Sequence, residues 1–336
     1  MRVLLTGAGG FIGSHVLRHL LTQTDWHVVA TDSFRHKGKT DRIVTQTGDL
    51  HGPQVAQRLT VITHDLAAPV SAQMQLRIGH VDYVIAMASA SHVDRSIEDP
   101  AGFVRNNVDV ALSTLEYCRA AAPDHVILIS TDEVYGPVPR GHAGHPEWAP
   151  TVPSNPYSAS KAAQEAIAIS YWRTYGLPLT IVNCMNLIGE TQDPEKYLPS
   201  LIANISTGRE VTVHGTPDDI GTRHYLHARN LADALLYIFR FLPQEAFPCA
   251  DRPSRFNIAS ADQVSNLELA EMVAAIIGKP LRYRLTDFHS TRPGHDPHYG
   301  LDPAKLTAAG WKPPVPFTQS LEHTVRWTID HPEWMA

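Results

Sequence analysis

Along the first half of the chain, short apolar runs recur between stretches whose apolar residues repeat with helical spacing. The runs Arg2–Thr6, His27–Thr31, Thr60–His64, Tyr83–Met87, Val126–Ser130 and Leu179–Asn183 are continuous rather than alternating. That is the pattern of parallel strands buried on both faces. Strand and helix patterns alternating in this way predict an α/β fold with a doubly wound parallel sheet. Between residues 101 and 121, Val104, Val108, Ala111, Leu115 and Cys118 make one helical stripe, and Phe103, Val110 and Tyr117 make another. A helix apolar on two faces is deeply buried or shared with a partner subunit. Beyond about residue 183 prolines and glycines become frequent and the helical stretches shorten. The expected division is a cofactor-binding domain over residues 1–183 and a smaller, loop-rich domain over 184–336. A helix over Asn230–Leu242 is expected to pack back on the sheet.

Composition narrows the function. The net charge of −6 over 336 residues gives no electrostatic reason to expect nucleic acid or an anionic membrane as partner. No apolar run approaches the ~18 residues of a membrane span. The first residues reach glycine too early for a secretory signal, so a cytoplasmic protein is expected. Cys118, Cys184 and Cys249 lie far apart without a C-x-x-C pair, which excludes a disulfide framework and a zinc ribbon. The 19 histidines are scattered, and groups such as His142/His145 and His289/His295/His298 sit among prolines and glycines. No metal site is expected.

Three motifs carry chemistry. The first strand runs into Gly7-Ala-Gly-Gly10-Phe11-Ile12-Gly13, after which a helix is expected from Ser14. Glycines at 7, 10 and 13 permit a tight turn and let helix N-terminal amides approach a pyrophosphate. The second strand ends at Asp32, the spacing expected of an acid that accepts from both ribose hydroxyls and repels a 2′-phosphate. NAD is therefore expected over NADP, although Arg35, Lys37 and Lys39 follow closely. Tyr157 and Lys161 fall on one helix face, where an ammonium stabilises phenolate and lets the tyrosine remove a hydroxyl proton. Thr131, Asp132 and Glu133 follow the carboxyl end of a strand, where sheets of this kind bind ligands.

Taken together, Gly7–Gly13, Tyr157 and Lys161 resemble the extended short-chain dehydrogenase/reductase superfamily, in its NAD-dependent epimerase/dehydratase branch. Ser130-Thr-Asp-Glu-Val-Tyr-Gly136 is similar to the signature of the nucleotide-sugar 4,6-dehydratases. Ser91–Ser96, Asn155–Lys161, Pro194–Pro199 and Arg292–Asp296 match in order, so the likeness covers nearly the whole chain. The resemblance implies NAD, bound with help from Asp65 and Leu66, and dTDP-glucose or a related nucleotide hexose as substrate. It assigns Asp132 as acid, Glu133 as base, Thr131 as a hydroxyl beside the reacting sugar oxygen, and Tyr157 with Lys161 to the oxidation. Ser91, His92, Asn186, Lys196, Arg223, Asn257, Arg292 and Tyr299 are implied to bind the nucleotide sugar. A homodimer packed through the helices 101–121 and 157–175 is expected, as a four-helix interface.

The chain departs from the pattern at Arg223-His-Tyr225, Arg229-Asn230 and Asn186-Leu-Ile-Gly189, around the sugar nucleotide, and at Ser33–Lys39, on the adenine side. Two alternatives use the same fold. A C4-epimerase or nucleotide-glucuronate decarboxylase shares the oxidation but needs no acid at C6. A non-catalytic NAD-binding regulator would need neither Tyr157 nor Lys161.

Overall fold

The computed structural model describes residues 1–50, 53–243, 249–260, 262–287 and 296–335, without the side chains of residues 53 and 54. Six strands, β1 (Arg2–Thr6), β2 (His27–Asp32), β3 (Leu59–Thr63), β4 (Tyr83–Ala86), β5 (His125–Thr131) and β6 (Leu179–Cys184), lie within one residue of the sequence expectation at each end. They form a parallel sheet in the order β6-β5-β4-β1-β2-β3. A seventh strand, Ser254–Ile258, pairs in parallel with β6, so the sheet draws on chain beyond residue 183. The chain winds outward from β1 to β3 and then crosses to β4 on the other side of β1. The strand order therefore reverses between β1 and β4, and their carboxyl ends open the crevice where such sheets bind ligands.

Alternation along β1 shows how the two faces are filled. Val3 and Leu5 enter one core with Val16, Leu17 and Leu20 of α1 (Phe11–Gln23), whereas Leu4 enters another with Leu115, Cys118 and Trp172. The first core includes Leu231, Leu235 and Phe239 of the helix Ala228–Phe241, which packs against α1. The second is roofed by the long helices Pro100–Ala121 and Pro156–Tyr175. A third core, built on Leu201, Ile205, Val213, Leu269, Val273 and Leu321, holds the helices Tyr197–Ser206, Asn266–Ile277 and Phe317–Asp330 together. Among the described residues, no helix is long and apolar enough to cross a membrane.

Candidate active site

The glycine turn follows β1. Gly7 sits at φ +72°, and a Cβ added at Gly13 would come within 2.0 Å of the Gly7 carbonyl oxygen, so both positions require glycine. The helix begins at Phe11, three residues before the Ser14 expected from the sequence, because the turn closes early through the Gly10 amide to the Gly7 carbonyl. No side chain caps this N-terminus. Its amides are thus available to an anion. Asp32 ends β2 and accepts from the amides of Gly9 and Phe34, each at 2.9 Å. Arg35, instead of facing Asp32, pairs with Asp65 at 2.9 Å. The turn, Asp32, Asp65 and Leu66 line one end of a cavity of about 1100 Å³. Its glycine cradle, bare helix N-terminus and ribose-spaced acid fit a dinucleotide.

The far end of the same cavity is lined by Ser91, His92, Thr131, Asp132, Glu133, Tyr157, Lys161, Asn186 and Lys196. Thr131 is the last residue of β5, and residues 132–135 form a single 3₁₀ turn. Gly136 closes it at φ +79°, where a Cβ would meet the Val152 carbonyl oxygen at 2.4 Å. Tyr157 stands in the first turn of its helix because Asn155 and Ser158 make a reciprocal cap and Pro156 supplies a preset φ. The Tyr157 amide donates to Ser96 Oγ at 3.1 Å, fixing the helix end against the segment that carries Ser91 and His92.

The two acids differ in setting. Thr131 donates to Asp132 Oδ1 at 2.9 Å, and buried Asp132 Oδ2 has no hydrogen-bond partner among the described residues. Burial, reinforced by the Glu133 charge, pushes the Asp132 carboxyl up to about 7. Glu133 is also raised by burial, but Asn155 donates to it at 3.2 Å, and Arg223 and Lys196 lie near enough to favour its charge. The pair is thus set to hold one proton near neutrality, more on Asp132 than on Glu133.

Lys161 has partners in β5 and on its own helix. Its ammonium donates to the Ile129 carbonyl at 2.7 Å and to Gln164 Oε1 at 2.6 Å, and burial lowers it to about 8. Burial and the Glu133 charge hold the Tyr157 phenol well above its ordinary value, opposed by the nearby Thr131 hydroxyl. The ammonium's protons are committed to β5 and its own helix.

The outer residues divide. Lys196 reaches the Ser91 carbonyl at 3.5 Å. Arg223, Asn257 and Tyr299 stand outside the cavity wall. Arg223 donates to the carbonyls of Thr222, Asp296 and Pro297 and stacks over Tyr299 at 4.5 Å. Asn257 is wholly buried in the seventh strand, donating to the carbonyls of His145 and Asp302. Arg292 lies outside the described residues.

Sequence reasoning missed the supports. Asn183 of β6 donates to the Thr131 carbonyl at 2.9 Å and to Glu165 at 2.8 Å. Glu165 forms a buried ion pair with Arg255 at 2.7 Å, and Arg255 donates to the Tyr135 hydroxyl at 3.0 Å. Ends of the catalytic turn are thus tied to β6, the Tyr157 helix and the seventh strand. It also missed a cluster at which His15, Glu190 and His227 converge within 4.8 Å. His227 Nδ1 accepts the Arg229 amide, so its Nε2 carries the proton toward Glu190 at 3.2 Å. His15 Nε2 lies 3.0 Å from the Glu190 carbonyl oxygen, which can only accept. Both imidazoles face Glu190, and Gln46 Nε2 lies 3.3 Å from His15 Nε2.

A dinucleotide cradle leading to a half-buried tyrosine, a buried lysine and paired acids, all at the switch point of a parallel sheet, defines an oxidoreductive nucleotide-binding enzyme class. The chain belongs to the NAD dependent epimerase/dehydratase family, whose model matches residues 3–259. It is 33% identical to a dTDP-glucose 4,6-dehydratase of Neisseria meningitidis, over 99% of this chain and 94% of the relative. A dTDP-glucose 4,6-dehydratase from Streptomyces venezuelae, solved with NAD bound, superposes with TM-score 0.85 at 31% identity, covering 99% of this chain and 98% of that one. A Thermus thermophilus UDP-glucose 4-epimerase in complex with NAD superposes nearly as well, with TM-score 0.83 at 28% identity, covering 97% and 98%. Overall shape therefore does not separate dehydratase from epimerase; the acids at 132 and 133 must do so.

Proposed function

We propose that this protein is an NAD-dependent nucleotide-sugar 4,6-dehydratase acting on dTDP-glucose or a closely related nucleotide hexose. The observation that carries the reading is the Thr131-Asp132-Glu133 turn, which sets two unlike carboxyls beside Tyr157 at the end of β5. Bound NAD would accept the hydride leaving sugar C4 and give it back at C6. Tyr157 takes the C4 hydroxyl proton while Thr131 holds the same oxygen. The resulting ketone acidifies C5–H, which Glu133 removes, and Asp132 protonates the departing C6 oxygen. Glu133 then returns its proton to C5. A hexose epimerase leaves the C6 hydroxyl in place and a glucuronate decarboxylase meets a carboxylate there, so neither has use for an acid with Asp132's raised affinity for a proton.

The test is incubation with a panel of nucleotide sugars, read by product mass. Loss of one water with no net NAD reduction is expected, and catalytic turnover should need no more than stoichiometric NAD. An isomeric product or loss of carbon dioxide would overturn the reading. We further propose a cytoplasmic homodimer built on the helices Pro100–Ala121 and Pro156–Tyr175, supported by the two apolar stripes of the first and its exposed Leu112. Sedimentation at micromolar concentration should give twice the chain mass; a monomer would refute the interface.

A further inference from the structure

The two halves of the proposed reaction take protons onto groups held by different elements. The acceptor for the C4 hydroxyl proton, Tyr157, stands in the first turn of the helix Pro156–Tyr175. The acceptor for the C5 proton, Glu133, stands in the turn that follows β5. Both must address one sugar in one pose, because the hydride lost in the first half returns in the second. Asn155 touches both elements at once. It is buried, its side-chain oxygen accepts the Ser158 amide at 2.9 Å, and its Nδ2 donates to Glu133 Oε2 at 3.2 Å.

We infer that Asn155 is a positioning residue that keeps the two proton acceptors in register. One end of its side-chain amide caps the helix of Tyr157, and the other end holds Glu133. Chemistry fixes which end does which. The Ser158 N–H can only donate, so the amide oxygen must face it, and the NH2 group is left toward the Glu133 carboxylate, which accepts. The cap is locked in return, since the Asn155 backbone N–H donates to Ser158 Oγ at 3.1 Å. Tyr157 follows within the same turn, its own amide held by Ser96 Oγ at 3.1 Å. Glu133 is gripped at both ends. Its backbone amide donates to Thr131 Oγ1 at 3.3 Å, and its carboxylate receives the Asn155 NH2 group.

The other good capping residues lack one of these contacts. Serine, aspartate and asparagine cap helices about equally well. Aspartate has no proton to give a neighbouring carboxylate and repels it. Serine presents one oxygen, which the cap occupies, and its side chain ends a bond short of where Nδ2 stands. Alanine supplies neither contact. The donated hydrogen bond favours the ionised form of Glu133, the form that can take a proton, against the burial that opposes it. A carboxylate held by one oxygen also loses freedom to turn away from the sugar. Substitution at this one position can therefore separate the helix cap from the grip on the base.

This inference rests on the dehydratase reading and is tested in the full-length enzyme holding NAD, mixed with dTDP-glucose for a single turnover. Absorbance of reduced nicotinamide rises as C4 is oxidised and decays as hydride returns to C6. Melting temperatures first establish that each variant is folded. Asn155→Asp and Asn155→Ser keep the cap, so the rise should stay within about 2-fold of wild type. The decay should slow on the order of 10- to 10²-fold, more in Asn155→Asp than in Asn155→Ser. Deuterium at sugar C5 should slow the decay further in both and leave the rise unchanged, because only the step of Glu133 breaks that bond. Asn155→Ala loses both contacts and should slow rise and decay together; a normal rise there would show that the cap does not place Tyr157 and would overturn the inference. So would an unchanged decay in Asn155→Asp, or a rise and decay slowed alike in the two capped variants. A wild type that dehydrates neither dTDP-glucose nor another nucleotide hexose would instead sink the dehydratase reading, and this inference with it.

Discussion

The catalytic turn at residues 131–135 and the segment around Arg223 both act on the charge of Glu133, yet they are held by different means. Side chains from three separate elements grip the turn: Asn183 on the Thr131 carbonyl, Asn155 on Glu133, and the Glu165–Arg255 pair on Tyr135. Each grip comes from an element buried in the sheet or its covering helix. Arg223 instead stitches neighbouring backbone, binding the carbonyls of residues 222, 296 and 297. Groups that must meet reacting atoms within tenths of an ångström belong on rigid elements. Arg223 sits on a short strand, Thr222–His224, paired with Gln263–Ser265 outside the main sheet, the kind of outlying segment where specificity can change. The departures at Arg223-His-Tyr225 and Asn186–Gly189 fall in the second region, while every residue of the first keeps its type.

The sharpest contrast should appear with substitutions that touch chemistry. Asp132→Asn leaves Tyr157 and Thr131 to carry the oxidation, but an amide cannot protonate the departing C6 oxygen. Dehydration should fall about 10²–10⁴-fold while reduced nicotinamide accumulates, visible by its near-ultraviolet absorbance in a single turnover. Tyr157→Phe should block the first step and yield no reduced cofactor. An Asp132→Asn enzyme that dehydrates at the wild-type rate would remove the main reason to prefer dehydratase over epimerase. Arg223→Met, in the second region, should raise KM for the nucleotide sugar and leave kcat within a few-fold.

Stability should separate the regions next. Arg255→Met strands the Glu165 carboxylate in the interior, a loss of about 3–5 kcal/mol in chemical denaturation. Replacing both members by apolar residues should recover much of it. A cost under about 1 kcal/mol for the single change would mean that the turn does not depend on this pair.

These supports mark where sequence reasoning ends. Gly7, Gly13 and Asp32 were legible because their spacing is set by one local turn and one strand. Thr131–Glu133 and Tyr157 were legible because each motif lies within a single element or its end. Glu165, Asn183 and Arg255 lie on three elements and have meaning only once the sheet aligns them, and no period announces that. The partners of Lys161 were illegible for a related reason. Spacing of four places lysine and tyrosine on one helix face, but the competing acceptors, Ile129 and Gln164, come partly from the neighbouring strand. The helix starting at Phe11 depends on backbone closure of the glycine turn, which composition cannot time.

A smaller effect follows from the acid pair. The folded-state affinity of Asp132 for its proton is raised to about 7, above its unfolded value of 3.8. Between those values the folded state binds more protons than the unfolded one, so this group's contribution to stability is present below the unfolded value and is lost as pH rises toward 7. Asp132→Asn, which removes catalysis, should therefore be the more stable protein at pH 8, by on the order of 1–3 kcal/mol, with the advantage vanishing near pH 4. Equal melting temperatures at both pH values would mean that the carboxyl ionises freely and is no poised acid.

The weakest effect is expected where two cavity-edge segments meet. The loop following Asp32 and the segment 191–195 are joined twice. Arg42, wholly buried, donates to the Thr191 carbonyl at 2.9 Å and to Asp193 at 2.7 Å. Lys37 pairs with Glu195 at 2.6 Å, with both side chains about one-third exposed, at 35% and 32%. Water screens the second tether but not the first, so the two should contribute unequally to holding the segments over a bound dinucleotide. Lys37→Ala removes an interaction worth about 0.2–1 kcal/mol, so NADH release, followed by its fluorescence, should quicken only about 1.5- to 5-fold. The difference from wild type should shrink as salt is raised. A hundred-fold acceleration would show that Lys37 closes the cavity by itself, and would place a rigid, function-determining contact in a loop. The division drawn between the sheet-anchored turn and the loops around it would then have to be abandoned.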